Sequence, residues 1–283
     1  MSERLQKFLA RVGQGSRRQI EDWVRQGRIT INGVPAQLGV LVNGAERIEI
    51  DGKPVQVRAF GQKRRVLAYY KPVGEVTSRN DPEGRPTIFE RLPILRDSRW
   101  IAVGRLDLNT QGLLLLTNDG ELANRLMHPS SQIEREYAVR ILGDIPPATL
   151  RQLQEGVPLE DGIARFDSIR EAGGEGANHW YHVILREGRH REVRRLWESQ
   201  GVAVSRLVRV RYGSVSLRRG LRPGHWDELN EAQIDELRKA VGIAPEPQPE
   251  PAPRPDSRKK KPIWPNSPRR ATPARSDRSS DHR

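Results

Sequence analysis

The chain has 283 residues and no cysteine, and its 49 lysines and arginines outnumber its 36 acidic residues, giving a net charge of +13. Without cysteine it cannot hold a disulfide framework, a thiolate nucleophile, an iron–sulfur cluster or a cysteine-based zinc site. The longest aliphatic run, residues 113–116, is too short to cross a bilayer, and the positive charge indicates a polyanionic partner, either nucleic acid or an anionic membrane surface.

The first segment predicts two short helices followed by a β-hairpin. Apolar residues at positions 5, 8, 9 and 12 follow the helical repeat and share one face. Ser16 is a typical N-cap for the second helix, with Gln19 as its capping-box partner, and Gly27 ends that helix. A strand-like run then leads to Asn32-Gly33, a pair typical of a tight hairpin turn.

Basic residues cluster on this N-terminal unit. Arg4 and Lys7 lie opposite the apolar face, and Arg17 and Arg18 begin the second helix. Guanidinium groups beside the free N–H groups of a helix start suit a phosphate, and the same pattern also fits a solvated helix end. The segment from residue 4 to residue 33 resembles the alpha-L RNA-binding domain, which a ribosomal small-subunit protein shares with many RNA-modifying enzymes. The resemblance implies that these four residues bind RNA, but it implies no reaction, because the domain is an add-on module.

The middle of the chain alternates apolar runs with turns and a few helices. Strands are predicted at 66–70, 100–103, 112–117, 137–142, 180–185 and 204–212, and helices at 121–127, 148–154, 190–200 and 231–241. Strands outnumber helices and do not alternate with them regularly, so the pattern favours an α+β domain with a mixed, mostly antiparallel sheet over a doubly wound parallel sheet. A polar, basic stretch suits a linker near residue 61, which predicts domains at 1–61 and 62–244.

Three strings in the middle domain combine one acid and one aromatic residue with a surplus of guanidinium groups. Nucleotide-binding glycine loops, the serine-hydrolase elbow and the zinc-protease helix motif are all missing, and the histidines are not spaced for a metal. Taken singly, each string is typical of ordinary surface charges or a strand tyrosine. The residues concerned are Arg105 and Asp107 in a glycine-bounded loop, Tyr137 near the start of a strand, and Arg189, Arg191 and Arg194 at the start of a helix.

Together with Tyr70-Lys71-Pro72 ahead of them, these strings resemble the motif set of the pseudouridine synthases. The stretch from Gly104 to Gly120 is similar to the branch that modifies ribosomal RNA, and residues 80–87 are similar to its large-subunit group. The resemblance covers residues 2–242. It implies the pseudouridine synthase fold and isomerisation of a uridine in RNA, in which the N1–C1′ bond breaks and a C5–C1′ bond forms. It implies no metal and no organic cofactor.

The resemblance also assigns roles to individual residues. Asp107 is the catalytic carboxylate, acting either as a nucleophile or as a base that removes a ribose proton, and Arg194 is its basic partner. Because a uridine must leave its stack to react, Tyr137 is expected to stack on the flipped base, Arg105 to fill the gap and Leu207 to lie below the base. Phosphate binding or support of the fold is expected of three further basic residues, Lys71, Arg189 and Arg191.

The last segment, residues 245–283, holds 10 of the 21 prolines, almost no aliphatic residues and a net charge of +5. This composition predicts a disordered tail, because the segment cannot bury a core. Its basic groups would bind RNA phosphates without sequence preference, and a solubilising tail with no partner fits equally well.

For the whole chain we expect a cytoplasmic monomer with no membrane contact, because the N-terminus carries no secretory signal and no segment could span a bilayer. The expected partner is ribosomal RNA, as 23S rRNA or a pre-50S particle. Two alternatives stay open. A non-catalytic RNA-binding ribosome-assembly factor would need only the basic surfaces, and a metal-dependent nuclease could use Asp107, Asp119 and Glu121 as ligands.

Overall fold

The computed structural model describes residues 2–55, 63–95 and 98–244. All of them belong to one compact unit. The predicted domain boundary near residue 61 and the predicted disordered tail at 245–283 lie outside the described residues and stay predictions. No helix in the described part of the chain has the length and apolar character that crossing a bilayer requires.

The N-terminal domain follows the sequence prediction closely. Ser16 Oγ accepts from the backbone N–H of Gln19 at 3.1 Å and completes the predicted capping box. Asn32 and Gly33 have φ values of 52° and 83°, which is the left-handed conformation of a tight hairpin turn. The elements are β1 (Glu3–Arg4), α1 (Leu5–Arg11), α2 (Arg17–Arg25), β2 (Ile29–Ile31), β3 (Val34–Pro35), β4 (Leu41–Val42), β5 (Ile48–Ile50) and β6 (Lys53–Pro54).

The second domain is built on one large mixed sheet. Its strands are β7 (Val66–Lys71), β8 (Ile101–Ala102), β9 (Gln111–Thr117), β10 (Arg135–Leu142), β11 (Val157–Leu159), β12 (Gly162–Ala164), β13 (Ser168–Glu175), β14 (Asn178–Leu185), β15 (Val204–Tyr212), β16 (Val215–Ser216) and β17 (Trp226–Glu228). Its helices are α3 (Gly120–Met127), α4 (Pro147–Glu155), α5 (Glu192–Glu198) and α6 (Glu231–Ala240), with short 3-10 turns at Ile88–Arg91 and Pro129–Ser131.

The strand order along the sheet is β13-β14-β10-β15-β9-β7-β17, with β8 beside β9 and β16 beside β15. Neighbours in this sheet pair antiparallel except β9 and β15, which are parallel at Gln111 and Gly112. The predicted mixed, mostly antiparallel α+β fold is therefore confirmed. The parallel pair is unusually close, because a methyl group added at Gly112 would lie 2.3 Å from the carbonyl oxygen of Arg209. Only glycine fits there.

Strand β9 is buried on both faces, which accounts for its unbroken run of leucines. Leu114 and Leu116 join one core with Trp197 of α5, while Leu113 and Leu115 join a second core with residues of α3 and α6. The N-terminal end of β9, where the candidate acid loop begins, is thus fixed inside the domain.

Two predictions on element bounds were wrong. Strand β13 was not predicted, because it is a largely exposed edge strand whose register shifts between Glu171 and Gly174 and whose apolar alternation is weak. Helix α5 begins at Glu192 rather than at residue 190, because Arg191 has a φ of 48° and cannot continue a helix backwards.

Candidate active site

The loop that precedes β9 carries Asp107, and the protein holds this loop by its main-chain carbonyl groups. Every carbonyl oxygen from residue 106 to residue 110 accepts a hydrogen bond, so the backbone under the acid has little freedom. The side-chain and backbone donors are Thr77 Oγ1 to Leu106 O (3.1 Å), Lys71 Nζ to Asp107 O (3.1 Å) and to Thr110 O (3.0 Å), Gly74 N to Leu108 O (3.0 Å), and Arg194 Nη2 to Asn109 O (3.0 Å).

Lys71 is the central anchor of this loop. Its side chain is fully buried, and besides the two loop carbonyls its ammonium group donates to Pro72 O at 2.9 Å. Burial lowers the pKa of Lys71 to about 8, against the opposing effect of Glu75 and Asp107. A phosphate cannot reach an ammonium group enclosed in this way. Of the two predicted roles, support of the fold fits the structure and direct RNA contact does not.

The Asp107 side chain itself is left available to a ligand. It is partly exposed, and its carboxylate makes no hydrogen bond or ion pair with another residue in the described ranges. Its neighbour Leu106 is buried in the same core as Tyr137 and Leu207. The loop therefore presents a free carboxylate on a rigid backbone.

Arg194 is buried beside this loop, with 8% of its surface exposed. Its guanidinium donates from Nη1 to Val204 O at 2.8 Å and from Nη2 to Asn109 O. Within the described residues no ion pair shorter than 4.0 Å joins it to Asp107, so the predicted direct pair is not formed in this structure. Burial and the nearby Arg191 lower the pKa of Arg194, and the charge of Asp107 opposes that shift. The two groups are close enough to interact through space.

A cleft of about 500 Å³ opens next to the loop, and Arg194 and Leu207 both line it. Arg206 closes one side, where its Nε and Nη2 lie 2.6 and 2.9 Å from the Gln111 amide oxygen in the amide orientation that satisfies both groups. Neither Asp107 nor Tyr137 is among the lining residues. The full set of lining residues is Val73, Asn109, Gln111, Arg194, Ser205, Arg206 and Leu207.

Tyr137 lies on β10, which pairs with β15 next to the cleft. Its register partner is Arg209, and Leu207 is paired with Val139 two positions further along β10. Tyr137 is 8% exposed. It is therefore a core residue on the strand beside the cleft, and the structure brings Tyr137, Leu207 and Leu106 into one apolar cluster.

Arg189 binds the protein rather than solvent. Its guanidinium donates to the carbonyl of Ile163 at 2.9 Å and to Glu187 at 2.9 Å, and its backbone N–H donates to Glu192. Burial and a hydrogen bond from Glu187 raise the pKa of Glu192 to about 7. Of the roles predicted for Arg189, fold support therefore fits these contacts. The predicted buried acid at the start of α5 is Glu192.

The other basic site residues are more accessible. Arg105 is exposed and its side chain has no partner in the described part of the chain, while Arg191 lies 3.6 Å from Glu198. In the N-terminal domain a loose ion pair of 3.7 Å joins Lys7 to Glu3. The side chains of Arg4, Arg17 and Arg18 are exposed and make no hydrogen bond or ion pair with a described residue.

The structure separates the acids that a nuclease would need. Asp119 caps α3 through the N–H groups of Glu121 and Leu122 and pairs with Arg238 at 3.3 Å, while Glu121 pairs with Arg125. No three carboxylate or histidine side chains within residues 2–55, 63–95 and 98–244 are grouped so that they could hold a metal. The residues that suggested a nuclease have structural roles instead.

Sequence reasoning did not find Gly74 and Thr77 as residues of the acid loop. Gly74 was visible as part of the Lys71-Pro72-x-Gly74 string, but its backbone hydrogen bond to Leu108 depends on tertiary structure. Thr77 gave no signal, because a single threonine in a polar loop is ordinary.

Comparison with known proteins agrees with both resemblances. The RNA pseudouridylate synthase family model matches residues 65–199, and the S4 domain model matches residues 3–48. A solved pseudouridylate synthase aligns with a TM-score of 0.58 and 26% identity, covering 83% of this chain and 99% of that chain.

Two curated relatives are much more similar. The chain is 56% identical over 286 residues to the ribosomal large subunit pseudouridine synthase B of Shigella flexneri, covering 100% of this chain and 98% of that protein. It is 58% identical over 264 residues to the protein of the same name from Escherichia coli (strain K12), covering 92% of this chain and 91% of that protein.

Proposed function

The chain belongs to the RNA pseudouridylate synthase family and is an isomerase, and we propose that it converts a specific uridine of large-subunit ribosomal RNA into pseudouridine with Asp107 as its catalytic carboxylate. The names of the similar relatives support the choice of RNA. The observation that carries the assignment of Asp107 is its unpartnered carboxylate on a loop whose carbonyl groups are all bound. The monomeric state and the cytoplasmic location stay predictions.

The proposed reaction moves the ribose from N1 to C5 of the same uracil. The N1–C1′ bond breaks, the base turns, the C5–C1′ bond forms, and the proton at C5 leaves to solvent while N1 gains one. Atoms and electrons balance without an added reactant. Asp107 acts either by adding to the base or the ribose or by removing a ribose proton. Both routes need an anionic oxygen at a fixed position, which the bound loop provides.

The residues around Asp107 are proposed to receive the flipped base. Leu207 lies in the floor of the cleft and Tyr137 on the adjacent strand, so both can contact the uracil. Arg105 has an exposed, unpartnered side chain that can enter the gap left in the RNA stack. Arg194 supplies positive charge near Asp107 while it fixes the loop through Asn109.

The test is to map pseudouridine in ribosomal RNA from cells that lack this protein. We expect one site in the large-subunit RNA to remain uridine, and we expect wild-type protein, but not Asp107→Asn, to restore the modification. Asparagine keeps the size of the side chain and removes the anion, so release of the C5 hydrogen from an rRNA fragment should fall to background. Asp227→Asn is the matched control, because Asp227 only forms a surface ion pair with Arg218.

Three outcomes would contradict the proposal in different ways. An unchanged pseudouridine map would exclude large-subunit RNA as the substrate. Loss of a small-subunit site instead would keep the chemistry and change the target. Substantial turnover by Asp107→Asn, with the variant folded and binding RNA, would remove Asp107 from the reaction.

A further inference from the structure

The N-terminal domain touches the second domain at the loop between α1 and α2. A methyl group added at Gly13 would lie 3.4 Å from the backbone of Ser98, so the two main chains are in van der Waals contact there. Next to this contact, Ser98 Oγ and Arg99 Nε are both buried and have no hydrogen-bond partner among the described residues. Two neighbouring unsatisfied polar atoms at a domain junction require an explanation.

The charges around Arg99 are all of one sign. Burial lowers the pKa of Arg99, and the cations Arg79 and Arg17 lower it further. Arg79 and Arg99 belong to the second domain, whereas Arg17 begins α2 of the N-terminal domain. Neither Arg17 nor Arg99 makes a side-chain hydrogen bond or ion pair within the described ranges.

Arg79 is held in place at this junction by two contacts. Its Nη2 donates to Trp100 O at 2.5 Å, and its guanidinium lies 4.2 Å from the centroid of the Phe89 ring. These contacts are neutral, so they fix the cation without cancelling its charge. The junction therefore holds three gathered guanidinium groups that repel one another in the free protein.

We propose that Arg17, Arg79 and Arg99 together bind one phosphodiester group of the substrate RNA at the domain junction. A phosphate offers the anionic oxygens that guanidinium groups bind in a fork geometry, and its charge would offset the repulsion. Because the three residues come from both domains, the bound phosphate fixes the RNA to both at once. The proposal rests on the proposed function, since it takes the ligand to be RNA. A phosphate contact sets the position of the RNA and reads no sequence.

The experiment measures RNA affinity against salt concentration for the full chain and an rRNA hairpin. Arg99→Met keeps an apolar stem and removes the charge. We expect it to lower the steepness of log K against log salt by about 0.7 to 0.9, the value for one lost phosphate contact. Adding Arg17→Ala to Arg99→Met should lower it little further, because both residues bind the same phosphate.

Arg222→Ala is the matched control, because Arg222 is an exposed arginine whose side chain has no partner among the described residues. Its effect should add to that of Arg99→Met. An unchanged salt dependence in Arg99→Met, or additive effects of Arg17→Ala and Arg99→Met, would overturn the proposal.

Thermal unfolding without RNA separates binding from structure. Because Arg99→Met removes a repelled cation, its Tm should equal or exceed that of the wild type. A lower Tm together with weaker binding would indicate a structural role and overturn the proposal. Pseudouridine formation by the wild type is measured on the same hairpin. If that activity is absent while the shared-phosphate pattern holds, the proposed function fails and the junction site stands.

Discussion

The basic side chains of the N-terminal domain and those of the catalytic motifs occupy opposite environments. Arg17 and Arg18 are exposed and make no side-chain contact in the described part of the chain. Lys71 and Arg194 are buried and donate to main-chain carbonyl oxygens of the Asp107 loop and its neighbours, and Arg189 binds Ile163 in the same way. The same residue types therefore dock a ligand in one region and hold the protein's own backbone in the other.

This difference has a measurable consequence. Exposed cations interact with RNA phosphates through charges that salt screens, so their loss should change affinity and its salt dependence. Buried cations that bind carbonyl groups are shielded from salt, so their loss should change turnover and stability at every ionic strength. Variants from the two regions separate these classes.

The largest effect is expected from Arg194→Ala in the buried class. The substitution removes donors to Val204 O and Asn109 O and leaves those acceptors and a cavity behind. We expect a loss of about 2–4 kcal/mol in the free energy of unfolding. Turnover at saturating RNA should fall by about 100-fold or more, because the Asp107 loop loses an anchor. Denaturant unfolding and C5 hydrogen release measure the two effects.

Arg194→Lys is the companion variant, because it keeps the charge and shortens the reach of the donors. It should recover part of the stability but not the full rate, since a single ammonium cannot span both carbonyl groups in the guanidinium's geometry. If Arg194→Ala instead changes only the salt dependence of RNA binding, Arg194 belongs with the exposed cations.

Lys71 gives a second test of the buried class through pH. Its folded pKa of about 8 lies below its ordinary value of 10.5, so unfolding takes up a proton between these pH values. The stability of the wild type relative to Lys71→Met should therefore rise as pH increases from about 8 to 10.5, by at most about 3 kcal/mol. Urea unfolding of both proteins across this range measures it. A difference that stays constant with pH would show that the Lys71 ammonium is not desolvated.

Local sequence patterns predicted the elements that depend on local chemistry. The capping box at Ser16, the turn at Asn32-Gly33 and the leucine-rich strand β9 all follow from residue type and spacing. Asp107 was singled out by its glycine-bounded loop and by resemblance to a family. These predictions needed no knowledge of which distant segments meet.

The anchoring of the acid loop could not be predicted, because its donors come from distant parts of the chain. Lys71 and Arg194 are 123 positions apart by their numbers, yet both donate to the same short loop. A lysine in a basic protein reads as a phosphate ligand until its burial is known. The close approach at Gly112 has the same origin, since the opposing backbone belongs to β15.

A smaller effect is expected from Arg17→Ala combined with Arg18→Ala in the exposed class. RNA binding should weaken, and the salt dependence should flatten by about one unit for each lost phosphate contact. Turnover at saturating RNA should be unchanged. Arg25→Ala is the control, because Arg25 is an exposed arginine of the same helix that pairs with Asp22. Unchanged affinity and slope would mean that Arg17 and Arg18 are a solvated helix end.

The smallest effect on turnover is expected from deletion of residues 245–283. Ten basic and five acidic side chains give this segment its net charge of +5, and its prolines exclude a buried core. It should behave like the exposed cations in their weakest form. Affinity should fall at low salt, the loss should vanish as salt screens the charges, and the saturating rate should stay unchanged. A large drop in that rate on full-length rRNA would place the tail with the residues that organise the active site, and solvent exposure alone would then no longer separate docking from catalysis.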